Sequence, residues 1–237
     1  MNFIITIFNE VLYRPLFNAL VLLYEYIPGA DFGIAIIILT ILIKLLFYPL
    51  GTKSIKSQKS LADLQPKIKE LQEKYKDDKE KQAKEMMELY KKEKISPFSG
   101  CLPILIQLPV LIAMYRVFWG GLDPSRFSLL YSFVPAPGEI SSMFLGLVDL
   151  AKPNIIMALL VGIFQFLQIK FITPKTKKKA NDFSGRMQKQ MMYFMPVFIV
   201  VILWRLPSAL ALYILTTVLF TIVQQYIITK KKYVEPK

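Results

Sequence analysis

Lys44 lies inside the run GIAIIILTILIKLLFYPL (residues 33–50), which is otherwise built from side chains at home in lipid. An ammonium at the centre of a membrane-spanning helix costs roughly 2.5–3.5 kcal/mol on insertion scales. Thr40 lies four residues before Lys44 and Tyr48 four after it, so helical spacing predicts that the three share one face. The chemistry available to such a face is electrostatic: a fixed cation beside hydroxyls that can hold water and attract carboxylates. Lys44 is also six residues from Leu50, about 9 Å along a helix. Its stem could therefore snorkel to the headgroups, and position alone leaves both readings open.

Further polar residues fall at helical spacing in other apolar stretches. Tyr213, Thr217, Thr221 and Gln224 stand at i, i+4, i+8 and i+11, one continuous face that Thr216 and Gln225 widen. Gln165 and Gln168 are three apart, and Gln107 stands between Pro103 and Pro109. Intramembrane polar groups face a bundle interior or a cavity, so these residues together with Thr40 and Lys44 could line one hydrated concavity. They could equally serve as hydrogen-bonding glue between helices.

Other chemistries lack their residues. The chain has no histidine and one cysteine, Cys101, so His-based triads, His-ligated metals and an internal disulfide are excluded. No glycine-rich phosphate loop or acidic metal cluster stands in the sequence. The expectation is a protein that is not an enzyme and needs no cofactor.

The elements that must position the polar face follow from composition. The 237 residues are 54% hydrophobic, with a mean hydropathy of +0.42. Five apolar stretches are candidate spans: 33–50, 101–119, 154–172, 191–206 and 208–228. The fourth is short, about 24 Å as a straight helix, and suits a thin bilayer. Residues 53–94 carry thirteen lysines and residues 170–189 seven basic groups, whereas the alternate segments hold few. This positive-inside pattern puts the N-terminus outside and the C-terminal tail (229–237) in the cytoplasm.

The flanking segments differ in kind. Residues 1–30 are apolar but interrupted by Asn9, Glu10, Arg14, Pro15, Asn18 and Glu25. Leu12, Leu16, Ala19, Leu20 and Leu23 recur on one side, which predicts an outer interfacial helix, with a sixth span as the rival. Between the first two spans, residues 53–96 are rich in Lys, Glu and Gln. Leu61, Leu64, Ile68, Leu71 and Tyr75 form one amphipathic seam. After a break at Asp77-Asp78, Ala83, Met86, Met87 and Tyr90 form another. Two such helices make a cytoplasmic hairpin with little core of its own. Its lysines are a solvated face, or else a surface for anionic lipid or ribosomal RNA. Residues 120–153 form an outer loop containing the apolar SSMFLGLVDL, and 173–190 a basic cytoplasmic loop. The fourth stretch, MMYFMPVFIVVILW, is a compliant Met- and Phe-rich surface.

The ordered pieces ILTILIKLLFYPL, SLADLQPKIKELQEKYKDD, EMMELYKKEKISPFSGCLPILIQLPVLIAMY, FLGLVDL, LPSALALY and IVQQYI resemble the YidC/Oxa/Alb family of membrane protein insertases. The resemblance runs from about Tyr13 to Ile228 and is to the short bacterial form without a large outer domain. It implies an all-α polytopic fold: five transmembrane helices around a hydrophilic groove open to cytoplasm and lipid, an N-terminal interfacial helix and a cytoplasmic helical hairpin.

The resemblance also implies roles. Lys44 becomes the groove cation, and Thr40, Gln107, Gln165, Gln168, Tyr213, Thr217, Thr221 and Gln224 its lining. Leu108, Met114, Phe194, Phe198 and Val201 become a slide for client helices. The implied partners are nascent membrane proteins, the bilayer, the Sec translocon and the translating ribosome, with no small-molecule substrate and no DNA. The implied location is the bacterial inner membrane. Three departures stand out: lysine replaces the family's usual groove arginine, residues 209–214 lack its usual glycine and tryptophan, and Val218 stands where an asparagine is common. Without any resemblance, a transporter with Lys44 as counter-ion and a basic membrane anchor remain alternatives. The first would be expected to show internal repeats, and the second has no need of a polar intramembrane face.

Overall fold

The structure is a computed structural model, and it describes residues 2–96, 102–119, 124–138, 140–172 and 183–231. Cys101, much of the basic loop 173–190 and most of the tail 229–237 lie outside the described residues.

The described chain is mostly helical. Helix α1 (Asn2–Phe8) runs through a π-helical turn (Asn9–Tyr13) into α2 (Arg14–Tyr26). Pro15 sits in the first turn of α2, where its missing N–H is least costly. Helix α3 (Phe32–Leu46) starts at Asp31, whose carboxylate caps the Ile34 N–H at 2.9 Å. It stops at Phe47, because Pro49 has no N–H to donate and its ring crowds the carbonyl one turn back. Helix α4 (Tyr48–Lys74) leaves at 71° to α3. The straight span expected over 33–50 is therefore bent, and Tyr48 stands beyond the bend and not on the face of Thr40 and Lys44.

Helix α5 (Lys79–Lys92) folds back on α4, its first turn capped by Asp78 as the sequence predicts. Of the expected seam, Leu64 and Ile68 are buried together with Ala62. Leu61, Leu71, Tyr75, Met86 and Tyr90 are half-buried, and Ala83 and Met87 are exposed. No residue of α5 is fully buried. The Gln82 amide donates to the Gln72 carbonyl at 2.9 Å and Lys67 meets Glu93 at 2.5 Å, so polar contacts hold much of this hairpin.

Helices α6 (Leu102–Trp119), α7 (Ile155–Ile172), α8 (Phe183–Leu203) and α9 (Ser208–Lys231) follow. Helix α8 begins well before residue 191 and ends before 206. Between α6 and α7, strands β1 (Met143–Phe144) and β2 (Val148–Asp149) pair antiparallel. Their turn takes positive φ at Leu145 (51°) and Gly146 (68°), the tight hairpin geometry that glycine eases. Alternation too short to register as a strand explains why the sequence does not announce this ladder.

By length and composition, Phe3–Tyr26 and Ser208–Lys230 are each long and apolar enough to cross a bilayer, and the bent pair α3–α4 passes as one broken unit. Leu105–Trp119, Ile155–Phe171 and Met192–Leu203 are shorter apolar helices.

The main core occupies one end of the bundle. It joins Phe17, Leu20 and Val21 of α2 to Ile36 and Leu39 of α3 and to Met114 and Val117 of α6. Val161 of α7, Leu203 of α8 and Leu212 and Tyr213 of α9 complete it. Close packing is what joins helices in lipid, where apolar burial from water gives no advantage. Toward the other end Leu42, Leu45 and Leu46 of α3 and Leu105 of α6 are exposed, while Gln224 and Gln225 of α9 are buried.

Candidate functional site

The polar stripe of α9 organises the site. Helix α9 packs against α3 and α7, and its stripe meets α6 through Tyr213, α3 through Thr221 and the start of α4 through Gln224. Lys44 is half-buried, and its ammonium donates to Thr221 Oγ1 at 3.0 Å. Thr221 in turn donates to the Thr217 carbonyl at 2.7 Å, which leaves its hydroxyl oxygen free to accept from Lys44. The Lys44 Nζ also stands 5.8 Å from the Phe220 ring centroid, within cation–π reach. Side-chain contact with α9 thus holds the cation within the bundle, and its stem does not run free toward one end.

The other expected lining residues divide. The Gln107 amide donates to the Tyr213 hydroxyl, tying α6 to α9. Gln165 and Gln168 are half-buried on α7, and Gln165 Oε1 is a buried acceptor with no hydrogen-bond partner among the described residues. Such an atom costs about 1–3 kcal/mol when it is left unpaired. Thr217 is half-buried on the same face as Thr221.

Four expectations fail. Tyr213 is 1% exposed and belongs to the main core, so it does not line a wet surface. Thr40 is fully buried and its hydroxyl bonds the Ile36 carbonyl of its own helix at 2.6 Å. Its polarity is spent within α3, so it does not line a wet surface. Gln224 is 2% exposed and donates to the Tyr48 carbonyl at 3.0 Å and to Thr52 Oγ1 at 3.1 Å. It clamps the start of α4 onto α9 and so holds the bend. Met114 is 0% exposed in the main core; it faces the other helices because the period of α6 turns Val110, Met114 and Val117 inward together. It cannot be a surface slide.

The remaining slide residues are exposed. Leu108 stands on α6, and Phe194 and Phe198 stack on α8 with ring centroids 5.5 Å apart. Val201 is also exposed, on the wall of an apolar groove between α7 and α8.

Sequence reasoning passed over the polar residues of the tight end. Asn18, seen as an interruption, is a buried clamp. Its amide donates to the Leu129 carbonyl at 3.0 Å and its oxygen accepts from the Tyr131 N–H at 2.6 Å. Arg14 donates to the same Leu129 carbonyl, and the Tyr24 hydroxyl accepts from the Ser141 N–H. Arg116, inside the second apolar stretch, donates to Asn9 Oδ1 at 2.7 Å and lies over the Tyr13 ring. An arginine in the last turn of a spanning helix was the available signal, because that is where cations snorkel and complement the helix dipole.

The buried face of α2 accordingly differs from the one expected. Tyr13, Phe17, Leu20, Val21 and Tyr24 are buried, whereas Leu12, Leu16, Ala19 and Leu23 are half-buried. Ser142 and Asp149, in the segment between α6 and α7, are paired side chain to side chain at 2.6 Å. Together with Lys152, that bond holds the Asp149 carboxyl below its usual range. Asp31 accepts from the Leu145 N–H as well as capping α3, which fastens the β-turn to the start of that helix. Among the described residues, no cluster of side chains could hold a metal ion.

Comparison with known proteins gives this geometry a family. Residues 22–235 match the family model described as 60Kd inner membrane protein. The chain is 39% identical over 200 residues to proteins named membrane protein insertase YidC from Francisella tularensis subsp. novicida and subsp. tularensis. The alignment covers 84% of this chain and 33% of each relative, so it spans about a third of the length of the curated relatives it matches. A match running through α3, the Lys44 region, the hairpin and α9 carries one conclusion: the chain belongs to the 60Kd inner membrane protein, or YidC/Oxa, family of helical membrane proteins.

Proposed function

We propose that this protein is a non-enzymatic membrane protein insertase, which passes client transmembrane segments from the cytoplasm into the bilayer along a groove marked by Lys44. The observation that carries the proposal is the asymmetry of the bundle. One end is closed by the core around Phe17, Ile36, Met114 and Leu212. Beyond it stand a half-buried ammonium, Gln107, Gln165, Gln168, Thr217 and Thr221, which this reading takes as the lining of an open recess. A hydrated recess closed at one end shortens the hydrocarbon barrier that a polar segment must cross, and its fixed cation lowers the cost of carrying carboxylates. No nucleotide is needed, because moving the client's apolar span out of water is favourable by about 25 cal/mol per Å².

In this reading α3, α6, α7, α8 and α9 are five spans, with the N-terminus outside and the C-terminus in the cytoplasm. The N-terminal helix lies along the outer surface. Its length would suffice to cross, but Arg126, Leu129, Tyr131 and Ser141 of the following loop meet it at Tyr13, Arg14, Asn18 and Tyr24. One outer loop thus follows it over eleven residues, about 16 Å, which supports an interfacial position. The hairpin 53–96 receives clients on the cytoplasmic side. Exposed Leu108, Phe194, Phe198 and Val201 offer the client helix an apolar path into lipid. Nascent membrane proteins are the clients, and the Sec translocon and translating ribosome are the working partners.

The test is reconstitution in liposomes with a single-span client, measuring protease protection of its outer segment. Insertion should depend on the protein and fall when residues 61–90 are deleted. Protection equal to that of empty liposomes would refute the proposal.

A further inference from the structure

We infer that the apolar groove between α7 and α8 is a binding site for one acyl chain of an anionic phospholipid, with Arg205 at its mouth to take the phosphate. The inference rests on the chain being embedded in a bilayer and does not depend on insertase activity.

The groove encloses about 560 Å³, within the usual size of ligand sites of about 300–1,000 Å³. Leu159, Ile163 and Leu167 form one wall and Val197, Val201 and Trp204 the other. Apart from the ring edges of Trp204 and Tyr193, nothing in this lining can satisfy a polar ligand, so the occupant must be hydrocarbon along its length.

The floor sets the width. A Cβ on Gly162 would lie 2.5 Å from Val200 Cγ2 and 3.4 Å from the Pro196 carbonyl oxygen, so the two helices are nearly in backbone contact there. Contact that close leaves a narrow furrow suited to a single chain. A helix about 10 Å across needs more room.

Length agrees. The lining runs from Ile155 to Leu167 on α7 and from Trp204 back to Tyr193 on α8, about 17–18 Å at 1.5 Å per residue. One leaflet of hydrocarbon is about 15 Å deep, whereas a spanning client helix would be about 30 Å long.

The headgroup end is marked by a tryptophan beside a cation; exposed Lys170, one turn beyond Leu167, gives the other end a cation but no tryptophan. The residue after Trp204 is Arg205, which is exposed. The Ser208 N–H donates to the Lys152 carbonyl at 3.0 Å, which draws the loop before α7 against the same turn. Lys152 pairs with Asp149 at 3.0 Å, which leaves Arg205 as the cation at this end with no carboxylate beside it among the described residues. A tryptophan beside an arginine at the mouth of an apolar furrow matches the interfacial zone, where rings and cations meet headgroups.

The experiment uses the full chain in phosphatidylcholine vesicles doped with phosphatidylglycerol carrying a photoreactive acyl chain, with crosslinks mapped by mass spectrometry. Crosslinks should concentrate on Leu159, Ile163 and Val197. Ile163→Trp and Val197→Trp, each replacing an exposed side chain on opposite walls, should each reduce them about tenfold by filling the furrow. Arg205→Gln should lower the preference for phosphatidylglycerol over phosphatidylcholine about fivefold. Crosslinks spread evenly around the bundle, unchanged by both tryptophans and blind to headgroup, would make the lipid merely annular and overturn the inference. Loss of these crosslinks on dimer formation would assign the groove to a second copy and overturn it as well.

Discussion

Replacing Lys44 tests the electrostatic core of the proposed mechanism. The ammonium is half-buried and held by Thr221 at 3.0 Å, beyond the main core of the bundle. Two opposite charges at about 4 Å attract by about 1 kcal/mol in bulk water and by about 4 kcal/mol at an effective dielectric of 20. A half-buried cation beside a hydrated recess belongs between these limits, at about 2 kcal/mol, or near thirtyfold in rate. Lys44→Ala should therefore slow insertion of a client with an acidic outer segment about thirtyfold while sparing a client with a neutral segment. Lys44→Glu should be worse for the acidic client, and Lys44→Arg should retain insertion, since it restores the charge.

The assay is protease protection in liposomes with the two clients run side by side. At 1 M salt, where the Debye length is about 3 Å, the difference between them should shrink, because an open recess admits ions. Normal insertion of both clients by the Ala and Glu variants would refute the reasoning. An equal loss for both clients would refute it too, by showing that Lys44 serves only to pack α3 against α9 through Thr221.

Gln224→Leu removes two bonds from α9 to the start of α4. At about 0.6 kcal/mol per interhelical bond in a membrane, it should cost about 1 kcal/mol in mixed-micelle unfolding and broaden spin-label distances between α3 and α4; unchanged distances would show that Pro49 alone sets the bend. Asn18→Leu strands the Tyr131 N–H, whereas the Leu129 carbonyl keeps its bond from Arg14; at about 1–3 kcal/mol for an unpaired donor, the Tyr131 amide should exchange hydrogen faster, and unaltered exchange would remove Asn18 from the loop clamp. In the hairpin, the hydrogen bond and charge of Lys67 hold the Glu93 carboxyl below the usual glutamate range. A lowered value means the contact contributes above the unfolded pKa and is lost as pH falls through the folded one. The α4–α5 distance should accordingly widen on acidification below about pH 4.3, and Glu93→Gln should abolish that dependence; an identical acid response in the variant would refute it.

Much of the helical layout was legible, because its signals are local. Asp78 ends the first seam of the hairpin and caps the next helix as its sequence suggests, and it and Asp31 each accept from an N–H three residues on. Asn154 accepts from the Ile156 and Met157 N–H groups. Apolar length marked the stretches that became α3, α6, α7, α8 and α9. The bend at Phe47 was written in Pro49, yet an unbroken apolar run through Leu50 masked it. The short β-ladder was not legible, since two-residue strands carry no periodicity.

Site residues were less legible, because spacing along one helix does not say what faces it. Thr40 and Lys44 share a face of α3, but Thr40 lies deeper in the packed half and bonds its own backbone. Lys44, one turn on, reaches α9. Met114 and Leu108 belong to one helix, and only the position of the core decides that one is buried and the other exposed. The polar stripe of α9 was visible as a stripe, but Thr221 holds the cation whereas Gln224 holds the bend.

From sequence alone came the helical membrane class, the lysine-rich hairpin, the cation at Lys44 within an apolar run and the family resemblance. All of these follow from composition, charge and the order of motifs along the chain. Tertiary structure decided which end of the bundle is closed, which polar groups are spent on packing, and how the N-terminal helix is gripped by its loop. It also placed a narrow furrow between α7 and α8. These depend on contacts between residues far apart in the chain, where packing and hydrogen-bond satisfaction, and not local spacing, determine what each side chain meets.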